Sequence, residues 1–345
     1  FVGSGACALI YEVVWFQLLE LVIGSSAISL AVLLATFMGG MCIGSLAFPK
    51  YVPHGRHPLQ VYAILELSIG MIGMLELFAI PLVGRLYSPA VGHGTAALTL
   101  RAVVAGLSLL PPAILMGATL PAIARWVESS PRGISWLGFL YGGNIAGGVI
   151  GSVLAGFYLL RVHDQSIATY VAVLLNCAVA VVAWAISMRT QAPLVGVQPV
   201  VPSSVPVTNA IRADHGSIYL VIGLSGACAL GAQVLWTRLL SLTFGASVYT
   251  FSMILAVFLS GLGIGSATGA ALVPVVASPR RALAWCQLLL TAAIAWAAAV
   301  IYVALPNWPI DPSLAPSPWF ALQLDLVRCT LVVLPASILW GASFP

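Results

Sequence analysis

Charge is what this sequence has least of. Asp, Glu, Lys and Arg make up 6% of its 345 residues, where a soluble domain carries about 25%. A surface in water cannot be built from so few charges, which excludes the soluble globular class. The formal net charge of +4 is small and its residues fall in short loops. It carries topology and not a nucleic-acid footprint. Cysteine chemistry is missing too. The cysteines at 7, 42, 177, 228, 286 and 329 sit in apolar segments without a CxxC pair or metal spacing, and read as small packing residues. No GxSxG, HExxH or phosphate loop occurs. The GLGIG run at 261–265 lies inside an apolar segment and not after a strand. The histidines at 54, 57, 93, 163 and 215 fall in predicted loops without ligand spacing. No motif points to catalysis, a metal or an organic cofactor.

What is present is apolar length. Hydrophobic residues make up 61% of the chain, in recurring runs of roughly 20 or more, the signal for transmembrane helices. Ten spans are predicted, over 1–23, 26–48, 59–84, 97–124, 134–160, 166–187, 217–243, 247–272, 282–305 and 319–345. Backbone groups in lipid must be satisfied within their own segment, so each span is predicted helical. The expected fold class is an all-α polytopic bundle in contact with the lipid bilayer. Lys50, Arg56, Arg125, Arg132, Arg189, Arg212, Arg280 and Arg281 fall in loops on the side where the first span starts, against Arg85 and Arg161 on the other. The positive-inside rule makes the first side cytoplasmic and puts both chain ends there, which suits a bacterial inner membrane. Residue 1 already lies within an apolar run, so the chain reads as part of a longer product. Residues 188–216 contain Pro193, Pro199, Pro202 and Pro206, which forbid a continuous helix. An extended cytoplasmic linker is expected there.

An internal repeat organises the spans. Residues 3–48 recur from residue 224 without a gap, at an offset of 221. Ser4-Gly5-Ala6-Cys7-Ala8 matches Ser225-Gly226-Ala227-Cys228-Ala229. Trp15, Gly24, Phe37, Gly40 and Gly44 match Trp236, Gly245, Phe258, Gly261 and Gly265. Residues 335–345, PASILWGASFP, match 111–121, PPAILMGATLP, at an offset of 224. Six spans separate the copies, so the repeats run parallel, as do the two halves of a major facilitator transporter. The first repeat is assigned to 1–187 and the second to 217–345, truncated after four spans. A twelve-helix parent is expected.

Three groups of residues stand out within the spans. Gly40 and Gly44, repeated as Gly261 and Gly265, and Gly143, Gly147 and Gly151 have the spacing of a groove along one helix face, where a neighbour approaches closely. They serve packing or a seam on which helices rock. Pro111, Pro112 and Pro335 free carbonyls inside spans, as kinks or as cavity walls. The acids Glu12, Glu20, Glu66 and Glu76 are costly in an apolar segment and are placed toward the bundle interior. Glu12 matches Gln233 and Glu66 matches Gln287, so the second copy keeps hydrogen bonding without charge. Glu12 lies twelve residues from Gly24, near the bilayer midplane at about 1.5 Å per residue. These acids are either internal partners of Arg101, Arg238, Arg328 and tyrosine hydroxyls, or a site for a cationic ligand, or proton carriers. Asn144 is a lone amide in a glycine-rich span, read as an inter-helix hydrogen bond or part of the same ligand site.

The segments YEVVWFQLLELVIGSS, FMGGMCIGS, LLPPAILMGATLP and LYGGNIAGGVIGSVLAGF together resemble the membrane region of spermidine-synthase-like membrane proteins, the fused major-facilitator/spermidine synthase family. The resemblance covers residues 1–187 and reaches 217–345 through the repeat. It implies a facilitator-like fold and, in relatives, a cytoplasmic aminopropyltransferase-like domain whose motifs do not occur here. The loop after the second span, PKYVPHGRHP, departs from the facilitator pattern in lacking an acid. Three functions are carried forward. One is a membrane domain that binds or transports a cation such as a polyamine, through Glu12, Glu66, Gln233, Gln287 and Asn144. The others are an anchor for a synthase-like domain and an accessory subunit of a larger membrane complex.

Overall fold

The computed structural model describes residues 1–24, 26–51, 56–87, 95–128, 133–190, 215–272, 276, 278–308 and 317–343. They form helices and no strand. We number these α1 (Val2–Ile23), α2 (Ser26–Tyr51), α3 (Pro58–Tyr87), α4 (Thr95–Glu128), α5 (Gly133–Leu154), α6 (Gln165–Arg189), α7 (His215–Phe244), α8 (Val248–Leu272), α9 (Pro279–Ala299) and α10 (Pro318–Ala342). α5 continues through a π turn, Ala155–Leu159, into Leu160–Val162, and α9 through a π turn, Val300–Ala304. All ten are long and apolar enough to cross a membrane, and the chain is an all-helical polytopic membrane protein. Several helices outrun the predicted spans: α2 continues through Pro49 to Tyr51 and α3 to Tyr87. Apolarity marks the part of a helix in lipid, whereas the hydrogen-bond ladder continues into the interface. Most of the linker predicted over 188–216 lies outside the described residues; α6 reaches Arg189 and α7 begins at His215.

Local chemistry sets the helix ends. Gly24 closes α1 in the left-handed region at φ 79°, its N–H donating to the Glu20 carbonyl at 2.9 Å. Gly245, its counterpart after α7, has φ 91°. That conformation costs another residue about 1–2 kcal/mol, so both copies carry glycine. The Asp164 and Ser317 side chains cap α6 and α10 by accepting from Ile167 and Phe320 N–H. Pro335 stands inside α10 and removes the N–H that the Leu331 carbonyl would accept. Trp296 on α9 supplies the replacement, its Nε1 donating to that carbonyl at 3.0 Å.

α1 is the hub of the first half, packed against α2, α3, α5 and α6. Of its most apolar stretch 72% is buried, against 17% for α7, its counterpart. One core gathers Tyr11, Trp15, Leu19, Leu33, Phe37 and Leu109. A second gathers Trp236, Leu240, Phe258, Val333 and Trp340. The two halves meet chiefly through α5 and α8, where Gly148 touches Leu259 and Gly156 touches Ser252. Leu21, Leu46, Phe139 and Leu174 face outward, as lipid contact requires.

Candidate functional site

The glycines named from the sequence stand where another helix backbone passes. A Cβ on Gly44 would collide with the Ile114 carbonyl, and one on Gly40 with Ala113, so α2 and α4 touch without side chains between them. Gly117 on α4 meets the Met41 carbonyl in return. The same contact recurs between α8 and α10. Gly265 meets the Ile338 carbonyl, Gly261 meets Ser337, and Gly341 meets the Leu262 carbonyl. Each partner is the repeat counterpart of its equivalent. Against α1, Gly147 meets the Val2 carbonyl and Gly151 the Ala6 carbonyl, and Gly143 lies against the Val2 side chain. Asn144 sits in this seam, its backbone against Gly5 and its Nδ2 donating to the Phe1 carbonyl at 3.4 Å.

Glu66 is fully buried between α1, α3 and α6. Its Oε2 accepts from Asn176 Nδ2 at 2.6 Å, and the Tyr11 hydroxyl donates to Asn176 Oδ1 at 3.0 Å. The Ser4 and Tyr62 hydroxyls also face the Glu66 carboxyl, although neither Glu66 Oε1 nor the Tyr62 hydroxyl reaches close hydrogen-bond geometry with a described residue. In the second half Gln287 Nε2 donates to Ser225 Oγ at 3.4 Å. Ser225 is the counterpart of Ser4, whose hydroxyl faces Glu66. Glu76 is buried on α3 beside Ser108.

Glu12 does not belong to the Glu66 cluster. One residue on from Tyr11, it is turned about 100° around the helix, onto the face that carries Phe16 and Glu20. It is buried, and its Oε1 has no partner among the described residues. Gln233 is buried at the equivalent place on α7.

That face of α1 leads into a cleft of about 420 Å³ between the halves, at the end of the bundle that carries the Gly24 and Gly245 turns. Much of its lining comes in pairs related by the repeat, Phe16 with Thr237, Gln17 with Arg238, Glu20 with Ser241, Ala27 with Val248, and Leu30 with Phe251, while Val234, Ala246, Ser247 and Tyr249 line it from the second copy alone. The end of α5 adds Gly156, Leu160 and Arg161. The π turn at Ala155–Leu159 holds one residue more than an α turn, which rotates the next residues by about 100°. This brings Leu160 and Arg161 onto the cleft wall. The rings of Phe16 and Phe251 lie 4.4 Å apart at its floor, and Glu12 and Gln233 stand one helical turn below. A second hollow of about 510 Å³, between α2 and α4, is lined by Val32, Thr36, Gly106 and Leu110 and similar groups and offers no charge.

The structure therefore separates the predicted ligand residues. Glu66 and Gln287 lie between packed helices, Asn144 in the α1–α5 seam, and Glu12 and Gln233 on the helix faces that lead to the cleft. Sequence reasoning missed Asn176, a lone amide in an apolar run, and took Arg161 as a topology marker. Among the described residues no group of three His, Cys, Asp or Glu could hold a metal. No family model matches the chain, and no curated protein matches it.

Proposed function

We propose that this chain is the membrane domain of a spermidine-synthase-like membrane protein, and that it binds and passes a small polar solute through the cleft between its halves. The observation that carries this reading is the paired lining of the cleft. α1–α2 and their repeat counterparts α7–α8 face each other across it, and binding at the interface of two repeats is the arrangement by which parallel-repeat transporters give alternating access. The glycine contacts between α5 and α8 let the halves lie close enough to rock on one another. Glu20 at the mouth and Glu12 below the floor put two carboxyl side chains along one helix face, with the Phe16–Phe251 pair between them as a closure. A solute with an ammonium group, polyamines included, finds an acceptor there. With the chain ends in the cytoplasm of a bacterial inner membrane, the cleft opens outward. An anchor for a synthase-like domain or an accessory subunit has no use for a paired polar cleft. The test is solute exchange in proteoliposomes with labelled spermidine and labelled L-phenylalanine. One of the two is expected to exchange above empty vesicles, and Thr237→Trp, which fills the cleft, is expected to stop it. Exchange at the empty-vesicle level for both solutes refutes the transport reading.

A further inference from the structure

We infer that the cleft takes a zwitterion with an apolar body, about the size of an aromatic amino acid; this rests on the solute-binding reading above. The cleft carries both signs of charge, sorted by helix. Its carboxyl side chain, Glu20, comes from α1, and its guanidiniums come from α7 (Arg238) and from the end of α5 (Arg161). Among the described residues no ion pair joins Glu20 to Arg161, while Arg238 already has an interaction of its own that a ligand carboxylate would share. Both arginines lie at the end of the bundle where the loop bias leaves few basic residues, so topology does not account for them. A guanidinium grips a carboxylate through two parallel hydrogen bonds, and a carboxylate accepts from an ammonium. Thr237 lines the same cleft at 5% exposure, and its hydroxyl has no partner among the described residues. The rest of the wall mixes apolar groups, Phe16, Leu30 and Phe251, with the polar side chains of Gln17, Ser241 and Tyr249. The volume of about 420 Å³ sits at the small end of ligand pockets, roughly 300–1,000 Å³. A polyamine would satisfy Glu20 but set its next ammonium among guanidiniums. A simple anion would satisfy the arginines but face Glu20. A zwitterion meets both.

The experiment measures equilibrium binding to the purified chain in detergent, with L-phenylalanine, phenethylamine, 3-phenylpropionate and spermidine as probes. L-phenylalanine is expected to bind, and each single-pole analogue at least about tenfold more weakly, the loss of one charge-assisted contact. Glu20→Gln should erase the advantage over 3-phenylpropionate. Arg161→Gln combined with Arg238→Gln should erase the advantage over phenethylamine. All variants are compared at wild-type elution volume. Failure of L-phenylalanine to bind, or equal binding of a single-pole analogue, overturns the inference. Binding of spermidine alone, lost in Glu20→Gln, overturns it while leaving the solute-binding reading standing. Binding of none of the four, with no exchange in proteoliposomes, removes both.

Discussion

Replacing Asn176 by alanine should be among the most damaging single changes in the bundle. The side chain is 1% exposed and serves two partners on two other helices. It donates to Glu66 Oε2 at 2.6 Å and accepts from the Tyr11 hydroxyl at 3.0 Å. The Ser4 and Tyr62 hydroxyls also face the Glu66 carboxyl, so the substitution strips Oε2 of its Asn176 donor and leaves the Tyr11 hydroxyl without its acceptor. Each buried orphan costs about 1–3 kcal/mol, more when it is ionised. The expected loss is therefore about 3–5 kcal/mol. Glu66→Gln is the contrasting change. A glutamine oxygen still accepts from Asn176, and Gln287 already occupies the equivalent place, so the expected cost is below about 1 kcal/mol. The assay is unfolding of the purified chain in mixed micelles by SDS titration, with thermal midpoints as a second readout. A loss below about 0.5 kcal/mol for Asn176→Ala, within the range of neutral surface changes, would refute the claim that this amide ties α1, α3 and α6 together. So would an equal loss for Glu66→Gln.

The packing and the topology give further expected outcomes. Gly44→Leu and Gly265→Leu should each lower stability by several kcal/mol, and even Gly44→Ala by about 1–3 kcal/mol, because a Cβ there meets a backbone carbonyl. Gly39→Ala, where nothing lies within 4 Å, should be neutral or gain up to about 1 kcal/mol from helix propensity; wild-type midpoints for the leucine variants would show that these glycines do not pack. Trp296→Phe should cost about 1 kcal/mol by orphaning the Leu331 carbonyl, and that cost should vanish in a Pro335→Ala background, which a double-mutant cycle measures. Single cysteines at positions 56 and 280 should react with an impermeant maleimide only from the cytoplasmic side, and labelling from outside intact cells would reverse the orientation.

The helices were legible because apolar length is a local property, and lipid leaves the backbone few alternatives. The glycine seams were legible because spacing on one helix needs no knowledge of the partner. What each group touches was less accessible. Asn176 and Glu66 are 110 residues apart, and nothing beside either names the other. Glu12 and Glu66 sit on the first and third helices, which suggested one shared cavity. One residue of rotation at Tyr11 decides otherwise. Arg161 looked like a loop residue, because no sequence signal announces the π turn that carries it onto the cleft wall. The partner of Pro335 was equally hidden, since a tryptophan in an apolar span reads first as bulk.

The two copies can be compared with each other position by position, and they differ unevenly. At the packing positions the residues are the same: Gly40 and Gly261, Gly44 and Gly265, Gly117 and Gly341, Trp15 and Trp236, Phe37 and Phe258. Along the faces that lead to and line the cleft Glu12 and Gln233, Phe16 and Thr237, Gln17 and Arg238, and Glu20 and Ser241 differ in chemistry, while Ala27 and Val248, and Leu30 and Phe251, are apolar in both copies. Packing constrains both copies alike, because each must bring the same pair of helix backbones into contact. A cleft on the axis between the copies carries no such demand. If it held only lipid tails or served only as filler, apolar residues would suffice on both sides. Instead the first repeat contributes a carboxyl group and a guanidinium, Glu20 and Arg161, and the second a guanidinium and hydroxyls, Arg238, Thr237 and Ser241. Under the zwitterion proposal, that unequal furnishing of the two sides is what an asymmetric ligand would impose.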